Sequence, residues 1–261
     1  LWILGGTLAG GVLSLLLAAA ISFTLLAPWV RWMVSYAVGV LLAAAFLHLL
    51  PEAFMQAGNI EALFAVTLAG ILAFFLLEKA ALWRHHHGNG HGEHAHEHHA
   101  PHVHHRVSAP NRRVGSLIVI GDGFHNFVDG ILIAAAFLAD VRLGITTTLA
   151  IIAHEIPQEV GDFMLLLHSG YSKMKALALN VLSGLMAVIG GLAGYFALDN
   201  AREATPYVLA VAAASFIYIA VADLIPDMHR STDGRTTFVQ VLLIGAGVAT
   251  IFFAHLFLHG H

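Results

Sequence analysis

The chain has 261 residues, of which 58% are hydrophobic and only 11% charged, with a mean hydropathy of +0.79. That profile excludes an ordinary soluble globular domain and fits a polytopic membrane protein whose solvent is the lipid bilayer. A net charge of −4 leaves no footprint for nucleic acid, and the absence of cysteine removes disulfides and thiolate metal ligands.

About 20 apolar residues are needed to cross the hydrocarbon. Eight stretches qualify as transmembrane helices: Trp2 to Ala27, Met33 to Met55, Glu61 to Trp83, Val114 to Leu138, Gly144 to His168, Lys173 to Ala197, Pro206 to Asp227, and Thr237 to Leu258. Short polar turns separate nearly all of them, so residues 1–261 read as a single all-α transmembrane domain. The first stretch lacks a basic leader and is expected to remain a span rather than be cleaved.

Twelve basic residues set the expected orientation. Arg31, Lys79, Arg84, Arg106, Arg112, Arg113, Lys173, Lys175, Arg230 and Arg235 fall on one side of the eight spans, and only Arg142 and Arg202 on the other. By the positive-inside rule both termini are expected outside and the long connection in the cytoplasm, with the protein integral to a bacterial inner (plasma) membrane.

In the second span His48-Leu-Leu-Pro51-Glu52 places a polar residue, two apolar residues, a proline and an acid in a row. The seventh repeats the pattern as Asp223-Leu-Ile-Pro226-Asp227 with the helix running the opposite way, which suggests an inverted repeat. A helix-ending proline before a solvated acid fits the same letters, and both readings stay open at this point.

The connection from Arg84 to Arg113 holds eleven of the nineteen histidines between His85 and His105. Imidazole is a good ligand for zinc, copper, nickel and iron(II), and this tract has too few apolar residues to pack. Interrupted and internal, it differs from an engineered tag and reads as a metal-collecting cytoplasmic loop. His255, His259 and His261 form a smaller group at the other face.

The fourth and fifth spans carry the chemistry. They read GDGFHNFVDG and HEIPQEVGDF, and place Asp122, Asp129, Glu155, Glu159 and Asp162, with His125 and His154, in apolar segments without Lys or Arg. A carboxylate at the bilayer centre costs about 2.5–3.5 kcal/mol on insertion scales, so these acids need partners, and a divalent metal is the simplest one. His125 and Asp129 are four residues apart and Asn126 and Asp129 three, so one helix face offers nitrogen and oxygen together. His154 and Gln158 repeat the spacing, and Pro157 cannot donate to the carbonyl of Ala153. Any one of these residues alone would be read as a hydrogen bond to a neighbouring helix; the ensemble at matching depth reads as an ion path.

The letters His154-Glu155 also begin the H-E-x-x-H pattern of an intramembrane zinc protease, but Gln158 stands at the second histidine and Pro157 interrupts the turn. A membrane metal sensor without flux is a further alternative. No G-x-x-x-x-G-K-[ST] stretch provides for ATP coupling.

Eight spans, a His-rich connection between the third and fourth, HNFVDG in the fourth and HEIPQEVGD in the fifth together resemble the ZIP family of divalent-metal transporters. Within it they are most similar to the subfamily whose fifth helix reads HExPHExGD. The resemblance implies inverted repeats around helices four and five, no enzymatic activity, and transport of Zn2+, often also Fe2+, Mn2+ or Cd2+, towards the cytoplasm. It also implies a block of helices one, four, five and six that slides against the rest, and leaves a homodimer open. By motif position it places a binuclear-type metal site on His125, Asn126, Asp129, His154, Glu155 and Gln158, with Asn180 of the sixth span completing the second metal. Gln158 departs from the subfamily's histidine, which weakens the expected preference for zinc over harder ions.

Overall fold

The computed structural model describes residues 1–23, 27–87, 112–229 and 233–259, and every regular element among them is helical. The first passage runs as α1 (Trp2–Leu8), a π-helical turn (Ala9–Leu13) and α2 (Ser14–Phe23). The second runs as α3 (Ala27–Ala44), a π turn (Ala45–Leu49) and α4 (Leu50–Gln56). Then come α5 (Ile60–His87), α6 (Arg112–Ala139), α7 (Val141–His168) and α8 (Lys173–Asp199). A 3-10 turn (Arg202–Ala204) leads into α9 (Thr205–Tyr218), a π turn (Ile219–Leu224) and α10 (Ile225–Met228), followed by α11 (Gly234–His259). Most of the expected metal-collecting connection, residues 88–111, lies outside the described residues, as do His261 and the side chains of His255 and His259.

Every expected span is a helical passage, the largest shift being a second passage that starts at Ala27 rather than Met33. Among the described residues seven passages are long and apolar enough to cross a membrane. The expected fifth span, α7, is not one of them by composition. Its 28 residues rise about 42 Å at 1.5 Å per residue, yet it carries Arg142, Glu155, Glu159 and Asp162. The count of eight therefore turns on the one helix whose polarity does not match a bilayer.

The distribution of side chains confirms an integral membrane protein. Phe64, Leu68, Leu72 and Leu76 of α5 and Phe238, Leu242, Phe253 and Leu256 of α11 are exposed, a continuous apolar surface that water does not tolerate and lipid does. The interior is built instead from small residues: Ala43–Ala45, Ala134–Ala136 and Ala212–Ala214 are all buried. With no hydrophobic gain from moving a leucine out of lipid, helix association relies on close van der Waals approach, which small residues allow.

The closest approach fixes the position of α6. A Cβ on Gly130 would overlap the carbonyl oxygen of Ala187 on α8, and one on Gly190 would overlap the carbonyl oxygen of Phe127 on α6. These two glycines let the backbones touch on the turn beside Asp129.

Packing follows the exchange an inverted repeat requires. α6 lies along α8 while α7 lies along α2, and α3 lies along α11 while α9 lies along α5. Trading passages one, two, three and four for six, seven, eight and five turns each of these pairings into the other. The π turns obey the same exchange, since Ala45–Leu49 directly precedes Leu50-Pro51 and Ile219–Leu224 directly precedes Ile225-Pro226. A proline ring clashes with the carbonyl four residues back, here Leu47 and Ala222, and the wider π turn gives that carbonyl room without breaking the passage. Of the two polar residues placed on these turns, His48 is buried and Asp223 exposed.

α6 and α7 form an antiparallel hairpin. Asp140 alone separates them, and its Oδ1 accepts from the backbone N–H of Arg142 at 2.7 Å and of Leu143 at 3.2 Å, which starts α7 as α6 ends. At the far end α7 stops at Gly170, whose φ of 88° lies in the left-handed region. The N–H of Gly170 reaches the carbonyl of Leu167 at 3.0 Å and that of Tyr171 reaches Leu166 at 3.2 Å, a Schellman stop.

Candidate metal centre

The antiparallel hairpin brings residue numbers that sum to a near-constant value face to face. His125 meets His154 and Asp122 meets Gln158. On α6 the spacing of four carries His125 and Asp129 to one side, and on α7 the adjacent His154 and Glu155 both reach it. One ligand atom from each of these four residues lies within 4.8 Å of the others.

The His125 Nε2 atom is 3.3 Å from His154 Nε2, 3.3 Å from Glu155 Oε1 and 3.8 Å from Asp129 Oδ2. The His154 Nε2 atom is 3.3 Å from Asp129 Oδ2 and 3.6 Å from Glu155 Oε1. Nitrogen and oxygen ligands about 2.1 Å from a tetrahedral zinc stand about 3.4 Å from one another, so these five edges already have the size of a zinc tetrahedron.

The tautomer suits the same use. The Nδ1 of His154 lies 3.1 Å from the carbonyl oxygen of Ala150, which can only accept, so the proton sits on Nδ1 and the Nε2 lone pair faces the cluster. Buried Phe216 packs edge-on against this ring, with centroids 6.0 Å apart. The side chains of Asp129, His154 and Glu155 are at most 1% exposed, whereas His125 keeps 22% and forms the open side. All four carboxylate oxygens of Asp129 and Glu155 are buried without a hydrogen-bond partner. Leaving buried anions in that state is expensive unless a cation shares the site.

The amide residues expected as ligands lie beside this group. Asn126 is buried, and its Nδ2 donates to the carbonyl oxygen of Asp122 at 3.2 Å and to Asp122 Oδ1 at 3.1 Å. Gln158 Nε2 approaches the same Oδ1 at 3.4 Å. Asn180 Nδ2 on α8 lies 3.4 Å from the backbone oxygen of Glu159. Two residues outside the expected ligand set, Asp122 and Glu159, form a second group with Glu155, with one oxygen from each within 4.8 Å of the others. Helical spacing signals both, because Asp122 precedes His125 by three residues and Glu159 follows Glu155 by four. Asp162 belongs to neither group.

A family model described as ZIP Zinc transporter matches residues 2–255. The chain belongs to the ZIP family. Zinc transporter ZIP13 of Pongo abelii is 32% identical over 245 residues, covering 87% of this chain and 67% of that protein. Zinc transporter ZIP4 of Homo sapiens is 39% identical over 137 residues, 52% of this chain and 21% of that protein. Zinc transporter ZIP10 of Homo sapiens is 42% identical over 120 residues, 46% of this chain and 14% of that protein. The chain thus spans about a fifth of the length of ZIP4 and about a seventh of that of ZIP10. ZIP proteins are transporters and not enzymes.

Proposed function

We propose that this chain conducts Zn2+, and with it Fe2+, Mn2+ or Cd2+, across a membrane towards the cytoplasm, through a mid-membrane site on α6 and α7. His125, Asp129, His154 and Glu155 form its primary ligand set, with Asn126, Gln158 and Asn180 alongside. The observation that carries this reading is the set of donor separations of 3.3–3.8 Å among two imidazoles and two carboxylates. A hydrated ion entering the bilayer must exchange water for fixed ligands, and these four supply them where no Lys or Arg competes. Conduction also needs release, and mixed imidazole and carboxylate ligands without a thiolate suit transit better than storage.

In this reading α7 crosses the membrane too, because Glu155 and Glu159 are buried among the helices rather than turned to lipid. The excess of basic residues on one side supports an orientation with both termini outside and the histidine-rich connection in the cytoplasm. The membrane is a bacterial inner membrane, and the whole chain serves as one transport domain.

Uptake of radioactive zinc into liposomes containing the purified protein tests the assignment. His125→Ala and Asp129→Ala are expected to abolish uptake at matched protein density. Wild-type flux in both variants would remove these residues from the path.

A further inference from the structure

A groove of about 570 Å³ lies between α1, α7 and the end of α6. Its long walls are two helical stripes of equal length, Trp2, Gly5 and Ala9 on the first passage and Ile145, Leu149 and Ile152 on α7, each rising about 10 Å. Trp2 and Leu149 are exposed, so the groove is open to the surroundings of the bundle. At its floor Gly6 closes α1 onto α6 and α7, where an added Cβ would come within 2.6 Å of Phe137 and 2.9 Å of Thr148 Oγ1. A Cβ on Gly5 would meet nothing within 4 Å and points into open space. The lining is almost wholly apolar. The hydroxyl of Thr148 donates to the carbonyl oxygen of Gly144 at 2.8 Å, and the indole of Trp2 sits at one end, stacked on Phe137 with centroids 6.3 Å apart.

The same end carries a cation. Arg142 stands one turn before Ile145, which extends the α7 stripe to a guanidinium. Among the described residues its side chain has no ion pair, whereas Arg202, the other basic residue on this side of the bundle, is held by Asp199 Oδ1 at 2.9 Å. Neighbouring Asp140 spends its Oδ1 on the backbone N–H groups of Arg142 and Leu143.

We propose that the groove holds an acyl chain of an anionic glycerophospholipid whose phosphate pairs with Arg142. Water gains nothing in a cleft without free hydrogen-bonding groups, and an empty cleft forfeits dispersion contacts along both walls. At this depth in a bilayer the acyl chain is the available apolar filler. The order along α7, guanidinium first and then Ile145, Leu149 and Ile152, matches the order of phosphate and chain in a lipid. A planar guanidinium takes a phosphate through two N–H groups, and a headgroup of net negative charge adds attraction that a zwitterionic one lacks. Ile152 precedes His154 by two residues, so the bound chain packs against the turn of α7 that carries His154 and Glu155. The site depends on the chain's place in a bilayer and not on what it transports.

The test uses the full-length protein in nanodiscs of phosphatidylglycerol and phosphatidylcholine, mixed in equal parts with matched acyl chains. Native mass spectrometry reads the lipid retained, and phosphatidylglycerol with a photoreactive group in its acyl chain maps where the chain lies. The wild type is expected to retain phosphatidylglycerol about fivefold over phosphatidylcholine, the preference expected from one basic side chain at the headgroup level. Labelling should fall on Trp2–Ala9 and Ile145–Ile152. Arg142→Gln should bring the lipid ratio close to one while labelling stays in place, and Arg142→Lys should keep part of the preference. Gly5→Leu, whose side chain has room to enter the groove, should lose the labelling of Ile145–Ile152. An unchanged lipid ratio in Arg142→Gln overturns the phosphate contact, and unchanged labelling in Gly5→Leu overturns the acyl position. A dimer that Gly5→Leu converts to monomer, with α7 unlabelled in the wild type, gives the groove to a second copy of the chain and overturns the lipid.

Discussion

The Nε2 atoms of His125 and His154 face each other across the hairpin at 3.3 Å. Because His154 commits its Nδ1 to the carbonyl of Ala150, its Nε2 is an acceptor, and only a proton on His125 or a cation between the rings can fill the gap. A metal ion must displace any such proton, so occupancy of this position is coupled to proton release.

Removing one of the four donors should therefore be costly. His154→Ala leaves Asp129 and Glu155 buried without their only imidazole of fixed tautomer. Zinc uptake in liposomes is expected to fall at least about a hundredfold, beyond the 10–100-fold typical of losing a supporting group around a metal. Insertion should be unchanged, because the apolar passages are untouched. A variant that inserts normally and transports within about threefold of wild type refutes the role of His154.

Gln158→His restores the residue of the HExPHExGD pattern at a position 3.4 Å from Asp122 Oδ1. An imidazole there adds a nitrogen donor to a neighbourhood of oxygens and should raise zinc uptake relative to manganese. Competition between the two metals in the same liposomes measures the ratio. An unchanged ratio shows that residue 158 does not contact the ion.

Glycine at 190 is a packing requirement, since any Cβ overlaps the carbonyl oxygen of Phe127. Gly190→Ala should part α6 from α8 and lower stability by about 1–3 kcal/mol, as overpacking does. The control is Gly245→Ala on the exposed side of α11, where nothing lies within 4 Å of the added carbon. That change should be neutral or stabilise by up to about 1 kcal/mol through helix propensity. Thermal unfolding in detergent reads both, and equal midpoints would contradict the close approach.

Orientation is testable with single cysteines, because the chain has none of its own. Cysteine in place of Gly58, between α4 and α5, is expected to react with a membrane-impermeant thiol reagent in intact cells. Cysteine in place of Gly90, in the histidine-rich connection, should react only after the membrane is opened. The reverse pattern overturns the orientation and the direction of transport.

What the sequence determined by itself was everything that depends on local periodicity and on the solvent. Long apolar stretches can only become helices in a bilayer, because every backbone N–H and C=O must be satisfied within its own segment. The helical passages were therefore legible, with ends that differ by a few residues and most at the second, which starts at Ala27 rather than Met33. So was the association of His125 with Asp129, which one helix face imposes at a spacing of four. Tertiary structure decided what lies across the hairpin. The opposition of His125 to His154 and of Asp122 to Gln158 depends on where Asp140 turns the chain and on how closely Gly130 and Gly190 let α6 lie against α8. That register separated the carboxylates: Asp129 went to the histidines, Asp122 and Glu159 to a second group that shares Glu155, and Asp162 to neither. It also turned the amides of Asn126 and Gln158 towards Asp122, a choice between oxygen and nitrogen that only the facing atom can make. The π turns before Pro51 and Pro226 belong to the same class, since a proline announces a missing donor but not whether the helix breaks or widens around it.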